Sequence, residues 1–186
     1  NVAGRNVSSA SSGLGGAFYV SDHAQMLVYR SVIQGNVADI GSVASVDSAG
    51  WLTISSSYLV NNGSDVNGMN NSYLLIAAGD DSRIDINSST MADNESNQAI
   101  IGNVFGGALN VRQNIIQDDN VDVYESFNDS GQASTAYYRC NLLHEDQSIS
   151  SVNFNGDNIQ STQAGFLDAL QGDYRIGNAS PAIDMC

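Results

Sequence analysis

The sequence contains no lysine, and its six basic residues are all arginines, against 20 aspartates and glutamates. The formal net charge at pH 7 is −14. A chain this acidic does not favour nucleic acid or an anionic membrane unless it carries a local basic patch, and the sequence shows none. It also has no apolar run of membrane-spanning length and no signal peptide. It starts abruptly at Asn1, as a mature or excised fragment would.

Proline, aromatic residues and cysteine are also scarce. The chain has one proline and 8% aromatic residues, whereas Ser, Asn, Gly and Asp are abundant. Abundant Asn and Gly beside β-branched residues predict many short strands joined by tight turns. An apolar fraction of 42%, in patterned order, argues against disorder. Cys140 and Cys186 leave two readings open, a single disulfide or two free buried thiols, and a disulfide would favour an extracellular setting.

A pattern of eleven residues recurs along the chain. It covers residues 26–36, 52–62, 84–94, 109–119 and 136–146, so the starting points are 26, 32, 25 and 27 residues apart. Positions one and three are mostly apolar, and position six is Ser or Asn. Position eight is a large aliphatic residue: Ile33, Leu59, Met91, Ile116 and Leu143. Position eleven is Asn or Asp: Asn36, Asn62, Asn94, Asp119 and Asp146. This spacing indicates a repeat protein.

The repeat predicts an all-β fold, a right-handed parallel β-helix of about five to seven coils. A leucine-rich repeat has a similar core, but it needs a further leucine column that this chain lacks, and no segment shows helical periodicity. In a β-helix, neighbouring coils stack about 4.8 Å apart, so like residues lie above like residues. The position-eight residues are therefore expected in one internal file. The Asn and Asp residues of position eleven are expected to form a hydrogen-bonded ladder at a corner.

The end of the chain carries a resemblance to a known group of proteins. The stretch AGFLDALQGDYRIGNASPAID, residues 164–184, contains G-F-x-D, then G-D-Y, then S-P-A-I-D. It resembles the terminal signature of secreted bacterial proteins of the pectate-lyase-like β-helix superfamily, especially the choice-of-anchor surface proteins. The opening GLGGAFYV, residues 13–20, looks like the glycine-rich start of a coil in polymorphic outer-membrane and adhesin proteins of that group.

The resemblance implies a particular organisation of the chain. Residues 1–147 would be the coils, residues 148–186 a closing segment of the same domain, and further coils would lie upstream of Asn1. A Cys140–Cys186 bond would pin the closing segment to the last regular coil. The superfamily includes lyases, hydrolases, adhesins and phage tailspikes, so the resemblance specifies the fold more than the activity.

Two sets of residues are candidates for a functional site. Arg112 and Arg139 occupy the same repeat position in consecutive segments, with Asn87 below them, and could bind a carboxylated sugar or serve a catalytic role. The competing interpretation is a solvent-facing ladder paired with nearby acids. The second set consists of Asp118, Asp119, Glu145 and Asp146, acids at matching positions of two segments. Stacked carboxylates repel unless something neutralises them, and Ca²⁺ is the natural candidate cofactor.

These observations favour an extracellular structural or adhesive module that binds a polysaccharide or a cell-surface protein on its elongated surface. One alternative is a polysaccharide lyase or glycoside hydrolase of the same superfamily. Another is a subunit of an extracellular filament that associates through exposed coil ends.

Overall fold

The computed structural model describes residues 13–63, 73–118, 122–127, 135–144 and 157–186, with the backbone alone described for 122–127. Its regular structure is all β apart from one 3-10 turn, and most strands lie in three parallel sheets. Sheet A contains, in order, β1 (Phe18–Val20), β4 (Ala44–Asp47), β7 (Tyr73–Ala78), β10 (Ala99–Val104) and β13 (Asp122–Phe127). Sheet B contains β2 (Gln25–Tyr29), β5 (Trp51–Ser55), β8 (Arg83–Asn87), β11 (Ala108–Arg112) and β14 (Thr135–Arg139). Sheet C contains β3 (Val32–Gln34), β6 (Tyr58–Val60), β9 (Thr90–Ala92), β12 (Ile115–Gln117), β15 (Leu142–Leu143) and β16 (Ile159–Gln160).

Neighbouring strands in each sheet are three strands apart in the chain, except β15 and β16 of sheet C, which are consecutive. The chain therefore visits sheets A, B and C in turn and then returns to pair with the strand it made one repeat earlier. We number these repeats 1 to 5, from β1–β3 to β13–β15. Each eleven-residue segment predicted from the sequence begins in sheet B and continues through sheet C.

The predicted internal file is confirmed in sheet C. Successive strands pair Ile33 with Leu59, Leu59 with Met91, Met91 with Ile116, and Ile116 with Leu143. These five side chains are buried and belong to one hydrophobic core with the inward residues of sheets A and B. Full burial of a large aliphatic side chain contributes roughly 1.5–3 kcal/mol, so the stacked core is the main source of stability.

The Ser and Asn residues at position six form a hydrogen-bonded ladder in the bends between sheets B and C. In each bend, the backbone N–H donates to the side-chain oxygen of the same position one repeat later. The members are Ser31, Ser57, Ser89, Asn114 and Asn141, and Asn158 continues the column beyond them. The residue before each of the first five is in the left-handed region, with φ between 48° and 57°. These bends are thus one conformation repeated in register.

A second ladder follows sheet C and requires one correction. Asn36 and Asn62 each donate, through backbone and side chain, to the amide oxygen of the next Asn in the column. Asn94 donates in the same way to Asp118, at 2.8 Å from its backbone nitrogen, so Asp118 occupies the place in the ladder that the repeat pattern assigned to Asp119.

The physical reason is the length of the bend. In the first three repeats a left-handed residue, Gly35, Asn61 or Asp93, separates the strand from its ladder residue. After β12 no such residue intervenes, because Gln117 is followed directly by Asp118. Asp119 and Asp146, the other predicted members of this ladder, lie outside the described residues.

Sheet A differs from the other two sheets because two of its strands, β7 and β10, bury apolar residues on both faces. Leu75 and Ala77 point into the main core, whereas Tyr73 and Ile76 belong to a second buried cluster on the opposite face. Gly102 lies under the Tyr73 ring, where the Cβ atom of any other residue would come within 2.6 Å of the ring.

The last part of the chain folds back along sheet C. After β16, an antiparallel hairpin forms from β17 (Phe166–Asp168) and β18 (Asp173–Ile176), with a 3-10 turn at Ala169–Gln171 between them. Tyr174 of this hairpin packs against Val60 and Ala92 on the outer face of sheet C. The hairpin therefore lies beside repeats 2 and 3. The strand before it, β16, instead continues sheet C beyond repeat 5 by pairing with β15.

Candidate functional site

The outer face of sheet B is a regular array of exposed side chains, which we call the sheet B face. Alternate residues of each strand point inward and are buried, so the remaining ones line up on the outside in three files. The first file is Gln25, Trp51, Arg83, Ala108 and Thr135. The second is Leu27, Thr53, Asp85, Asn110 and Tyr137. The third is Tyr29, Ser55, Asn87, Arg112 and Arg139.

Most of the arginines in the described part of the chain are gathered on or beside this face. Arg83, Arg112 and Arg139 lie in its files, and Arg30 follows directly after β2. Its files contain one acidic residue, Asp85. In a chain of net charge −14, this segregation makes the sheet B face a local basic surface of a kind that composition alone does not reveal.

In the middle of the face, Trp51, Arg83 and Asp85 form a closed cluster. The Arg83 Nε donates to the Asp85 carboxylate at 2.9 Å, and the Trp51 indole N–H donates to the same carboxylate at 2.9 Å. The Arg83 guanidinium also lies over the indole ring, 4.9 Å from its centroid. The charge of Arg83 is therefore compensated within the cluster, which leaves a rigid and partly exposed aromatic surface.

Arg112 and Arg139 are arranged differently, and the structure brings them together as predicted. They are directly paired residues of adjacent strands, and Asn87 is paired with Arg112 on its other side. The Arg112 Nε donates to the Asn110 amide oxygen at 2.7 Å, which fixes the guanidinium without neutralising it. Within the described residues, neither arginine makes an ion pair with a carboxylate.

These two arginines line a shallow groove of about 250 Å³ at the edge of the face, together with Gln113 and the disulfide. Strands of one sheet lie about 4.8 Å apart, so two exposed guanidiniums in register repel each other. An anion in the groove would relieve that repulsion. Such an anion would meet guanidinium donors in the planar geometry that suits a carboxylate, sulfate or phosphate.

Aromatic and aliphatic side chains extend the face on both sides of the arginines. Tyr137 is 49% exposed beside Arg139, and Tyr29 is 51% exposed in the same file as Arg112. The Arg30 guanidinium lies 4.9 Å from the centroid of the Tyr29 ring. Exposed rings of this kind can stack on the apolar face of a sugar.

The disulfide is formed between Cys140 and Cys186, as the sequence allowed. Cys140 lies in the bend between β14 and β15, so the bond ties the end of the described chain to repeat 5. Within the residues that the structure describes, the one group of potential metal ligands close enough for a single ion is Cys140, Cys186 and Asp157. Because both sulfurs are consumed in the disulfide, this group does not provide thiolate ligands.

Of the four acids predicted as a calcium site, the structure describes one, Asp118. Asp118 is buried at 1% exposure and accepts hydrogen bonds from Asn94, so it serves the ladder. Asp119, Glu145 and Asp146 lie outside the described residues. The calcium site stays a prediction.

The motif residues near the end of the chain hold the hairpin together. Phe166 packs edge-on against Tyr174, with ring centroids 5.5 Å apart, and the Ser180 hydroxyl donates to the Ala164 carbonyl. Gly165 has a left-handed backbone, and a side chain there would come within 2.9 Å of Ser180. This motif is therefore used for folding.

The sequence reasoning missed Trp51, Arg83 and Asp85. Trp51 and Arg83 each stand one position before a predicted segment, so they fall outside the repeated pattern although they share one file. The single tryptophan at the border of a repeat was the available signal.

Comparison of the chain with protein-family models, with curated proteins and with solved structures finds no match. In the described part of the chain, no helix has the length and apolar character needed to cross a membrane.

Proposed function

We propose that this chain is a right-handed parallel β-helix that acts as an extracellular adhesive module and binds acidic glycans on its sheet B face. The three parallel sheets, visited in turn by each repeat, support the β-helix. Right-handedness follows from the strong preference of parallel crossover connections for that hand. The Cys140–Cys186 disulfide supports an extracellular location, because such bonds persist mainly in oxidising compartments.

The observation that carries the proposal is the pairing of Arg112 with Arg139 in register on an exposed strand face. Elsewhere in the described chain, Arg83 and Arg175 are each neutralised by an adjacent aspartate. The Arg112–Arg139 pair lacks such a partner there, although the chain has a large excess of acids. Two uncompensated cations held side by side are suited to an external anion.

The surroundings favour a glycan as the carrier of that anion. Tyr137 offers an exposed ring in the same strand as Arg139, and Tyr29 offers a second one three strands from Arg112 in the same file. Asn87 and Gln113 offer amides for hydroxyl groups. The face is flat and extended, so a polymer could contact several repeats at once. Binding would then rest on many weak contacts in series.

The test is a binding measurement with matched charge variants. Wild-type protein is titrated with oligogalacturonate, a sulfated oligosaccharide and a neutral oligosaccharide of equal length at low and moderate salt. We expect the two acidic probes to bind and the neutral probe not to bind to this face. In Arg112→Gln/Arg139→Gln, loss of two charge-assisted contacts, each worth about 1.5–3 kcal/mol, should weaken binding by at least about 100-fold.

The control variant is Arg175→Gln, which removes one positive charge from the hairpin instead of the sheet B face. Arg175→Gln removes one charge and the double variant removes two. If the loss of binding free energy for the acidic probes is the same per charge removed in both proteins, the effect is one of net charge and the assigned site is wrong. Release of unsaturated products from the acidic polymer, lost in the double variant, would replace the adhesive function with a lyase. The one acid on the face, Asp85, already accepts from Arg83 and Trp51 and is poorly placed to act as a base.

A further inference from the structure

A second groove lies between the hairpin and the outer face of sheet C. It has a volume of about 350 Å³, within the usual range for small-molecule sites. Its floor is formed by outward side chains of repeats 1 and 2, and its wall by the turn and second strand of the hairpin. The lining residues are Val32, Gln34, Tyr58, Val60, Asn61, Gly172, Asp173, Tyr174 and Arg175.

The hairpin wall is held in place by specific contacts. The Tyr174 hydroxyl donates to the Asp93 carboxylate at 2.6 Å and accepts from the Asn61 amide at 3.4 Å. Burial, followed by the hydrogen bond to Asp93, raises the pKa of Tyr174 to about 12, so this hydroxyl stays protonated at neutral pH. The Tyr58 and Tyr174 rings lie 6.5 Å apart. The groove is therefore built before any ligand arrives.

The charges that line this groove cancel. The Arg175 guanidinium makes two contacts with the Asp173 carboxylate, Nε to Oδ1 at 2.8 Å and Nη2 to Oδ2 at 2.6 Å. This interaction holds the pKa of the Asp173 carboxyl at about 2, so the pair is ionised throughout the neutral range. An anion has no unpaired cation to bind here, in contrast to the groove beside Arg112.

The remaining lining combines an apolar floor with a polar rim. Val32 is 64% exposed, and Tyr58 is half-buried beside it in the same file of sheet C. Gln34 and Asn61, both exposed, supply amide donors and acceptors, and Asp173 and Arg175 add an acceptor and a donor. A pyranose ring has one apolar C–H face and a rim of hydroxyl groups that both donate and accept, and it matches this arrangement.

We infer that the groove between the hairpin and sheet C is a second binding site, for a neutral mono- or disaccharide seated on Tyr58. The site is separate from the sheet B face and does not depend on the proposed binding of acidic glycans. The sugar ring lies over Val32 and Tyr58, and its hydroxyls meet the amides of Gln34 and Asn61 and the Asp173–Arg175 pair. The protein then holds two sugar sites, one for acidic and one for neutral sugars.

The test uses saturation-transfer NMR followed by calorimetric titration. The probes are the methyl glycosides of glucose, galactose, mannose and N-acetylglucosamine, with cellobiose, maltose and lactose as disaccharides. At least one neutral probe should bind to the wild-type protein. Gln34→Ala should weaken that binding by about 3- to 10-fold through loss of a neutral hydrogen bond.

Two further variants separate the site from effects on folding. Val32→Trp fills the groove from an exposed strand position where an aromatic residue is tolerated, and it should reduce binding by at least about 10-fold. Arg112→Gln/Arg139→Gln should leave neutral-sugar binding unchanged.

The inference is overturned if none of the probes binds, or if the bound probe is unaffected by both Gln34→Ala and Val32→Trp. Those results would leave acidic-glycan binding on the sheet B face untouched. Conversely, loss of neutral-sugar binding in Val32→Trp with retained acidic-glycan binding would support the second site.

Discussion

Replacing Asn62 with Asp should destabilise the protein in a strongly pH-dependent way. Asn62 is 1% exposed in the centre of the second ladder. Its amide nitrogen donates to the carbonyl oxygens of Ile33 and Val60 and to the amide oxygen of Asn94. Its own amide oxygen accepts from Asn36. Asn62→Asp keeps the shape of the side chain and its accepting oxygen. It replaces the donating amide nitrogen with a second oxygen, which then faces three hydrogen-bond acceptors.

The size of the effect follows from the pKa of the new carboxyl. An unfolded aspartate has a pKa of about 3.9, and burial without a compensating charge raises it by up to about 3–5 units. The folded variant at pH 7 would therefore take up a proton, at a cost of about 1.4 kcal/mol per pH unit above 3.9, or about 4 kcal/mol. Loss of one amide donor adds about 1 kcal/mol. We expect a loss of about 5 kcal/mol at pH 7 and about 1 kcal/mol at pH 4.

The pH dependence of this loss has the sign expected for a group whose pKa is higher in the folded state than in the unfolded state. The deficit should be smallest below the unfolded pKa and should grow as the pH rises towards the folded one. Urea unfolding, followed by circular dichroism and by fluorescence of the single tryptophan, measures the free energy of unfolding at both pH values.

The matched control for Asn62→Asp is Asn110→Asp. It makes the same chemical change beside Arg112, with which the new carboxylate would gain an ion pair. The new carboxylate would also lie next to Asp85, whose charge Arg83 already neutralises, so the net effect should lie within about 0.5 kcal/mol. A deficit for Asn62→Asp that is equal at pH 4 and pH 7, or no larger than that of Asn110→Asp, would show that the ladder does not reject a charge.

Two further predictions concern the end of the chain. Reduction of the disulfide, or Cys186→Ser, should lower the free energy of unfolding by about 4 kcal/mol on the chain-entropy relation for residues 46 apart, and an unchanged urea midpoint would contradict this. Tyr174 has a folded pKa of about 12 against an ordinary 10, so its contribution is complete below pH 10 and is lost as the pH rises towards 12. Between pH 10 and pH 12, the free energy of unfolding measured in urea should fall by up to about 2–3 kcal/mol more for the wild type than for Tyr174→Phe. If the free energies of the two proteins changed in parallel with pH, the assignment would be refuted.

The sequence was sufficient to predict features that repeat with the same spacing. A buried file and a corner ladder need one residue type in every repeat, because each member contacts the next, and this requirement leaves a visible column in the sequence. For that reason the file through Ile33, Leu59 and Met91 and the ladder through Asn36, Asn62 and Asn94 were predicted at the correct residues.

Other features could not be predicted, because their residues either fit more than one pattern or do not recur from repeat to repeat. The stretch from Tyr73 to Ala78 is apolar throughout, so alternation cannot assign its faces. In the structure, Leu75 and Ala77 belong to the main core, whereas Ile76 belongs to the second cluster and Ala78 packs against it. The shift from Asp119 to Asp118 depends on the loss of one left-handed residue in a bend, and an Asp-Asp dipeptide does not reveal that loss. The Trp51 cluster arises from residues that occur once each.

Because the strands stack in register, the positions of charged side chains on this protein indicate where an external ion could bind. Any charged residue placed at a repeated position meets its counterpart about 4.8 Å away, so the repulsion recurs at every step unless it is neutralised. The protein neutralises Arg83 with Asp85 in the same strand, and Arg175 with Asp173 in the same strand. Within the described residues, no carboxylate neutralises Arg112 or Arg139 in this way. A fold with so many acids and one uncompensated pair of adjacent cations is best explained by an external anion that binds at that pair.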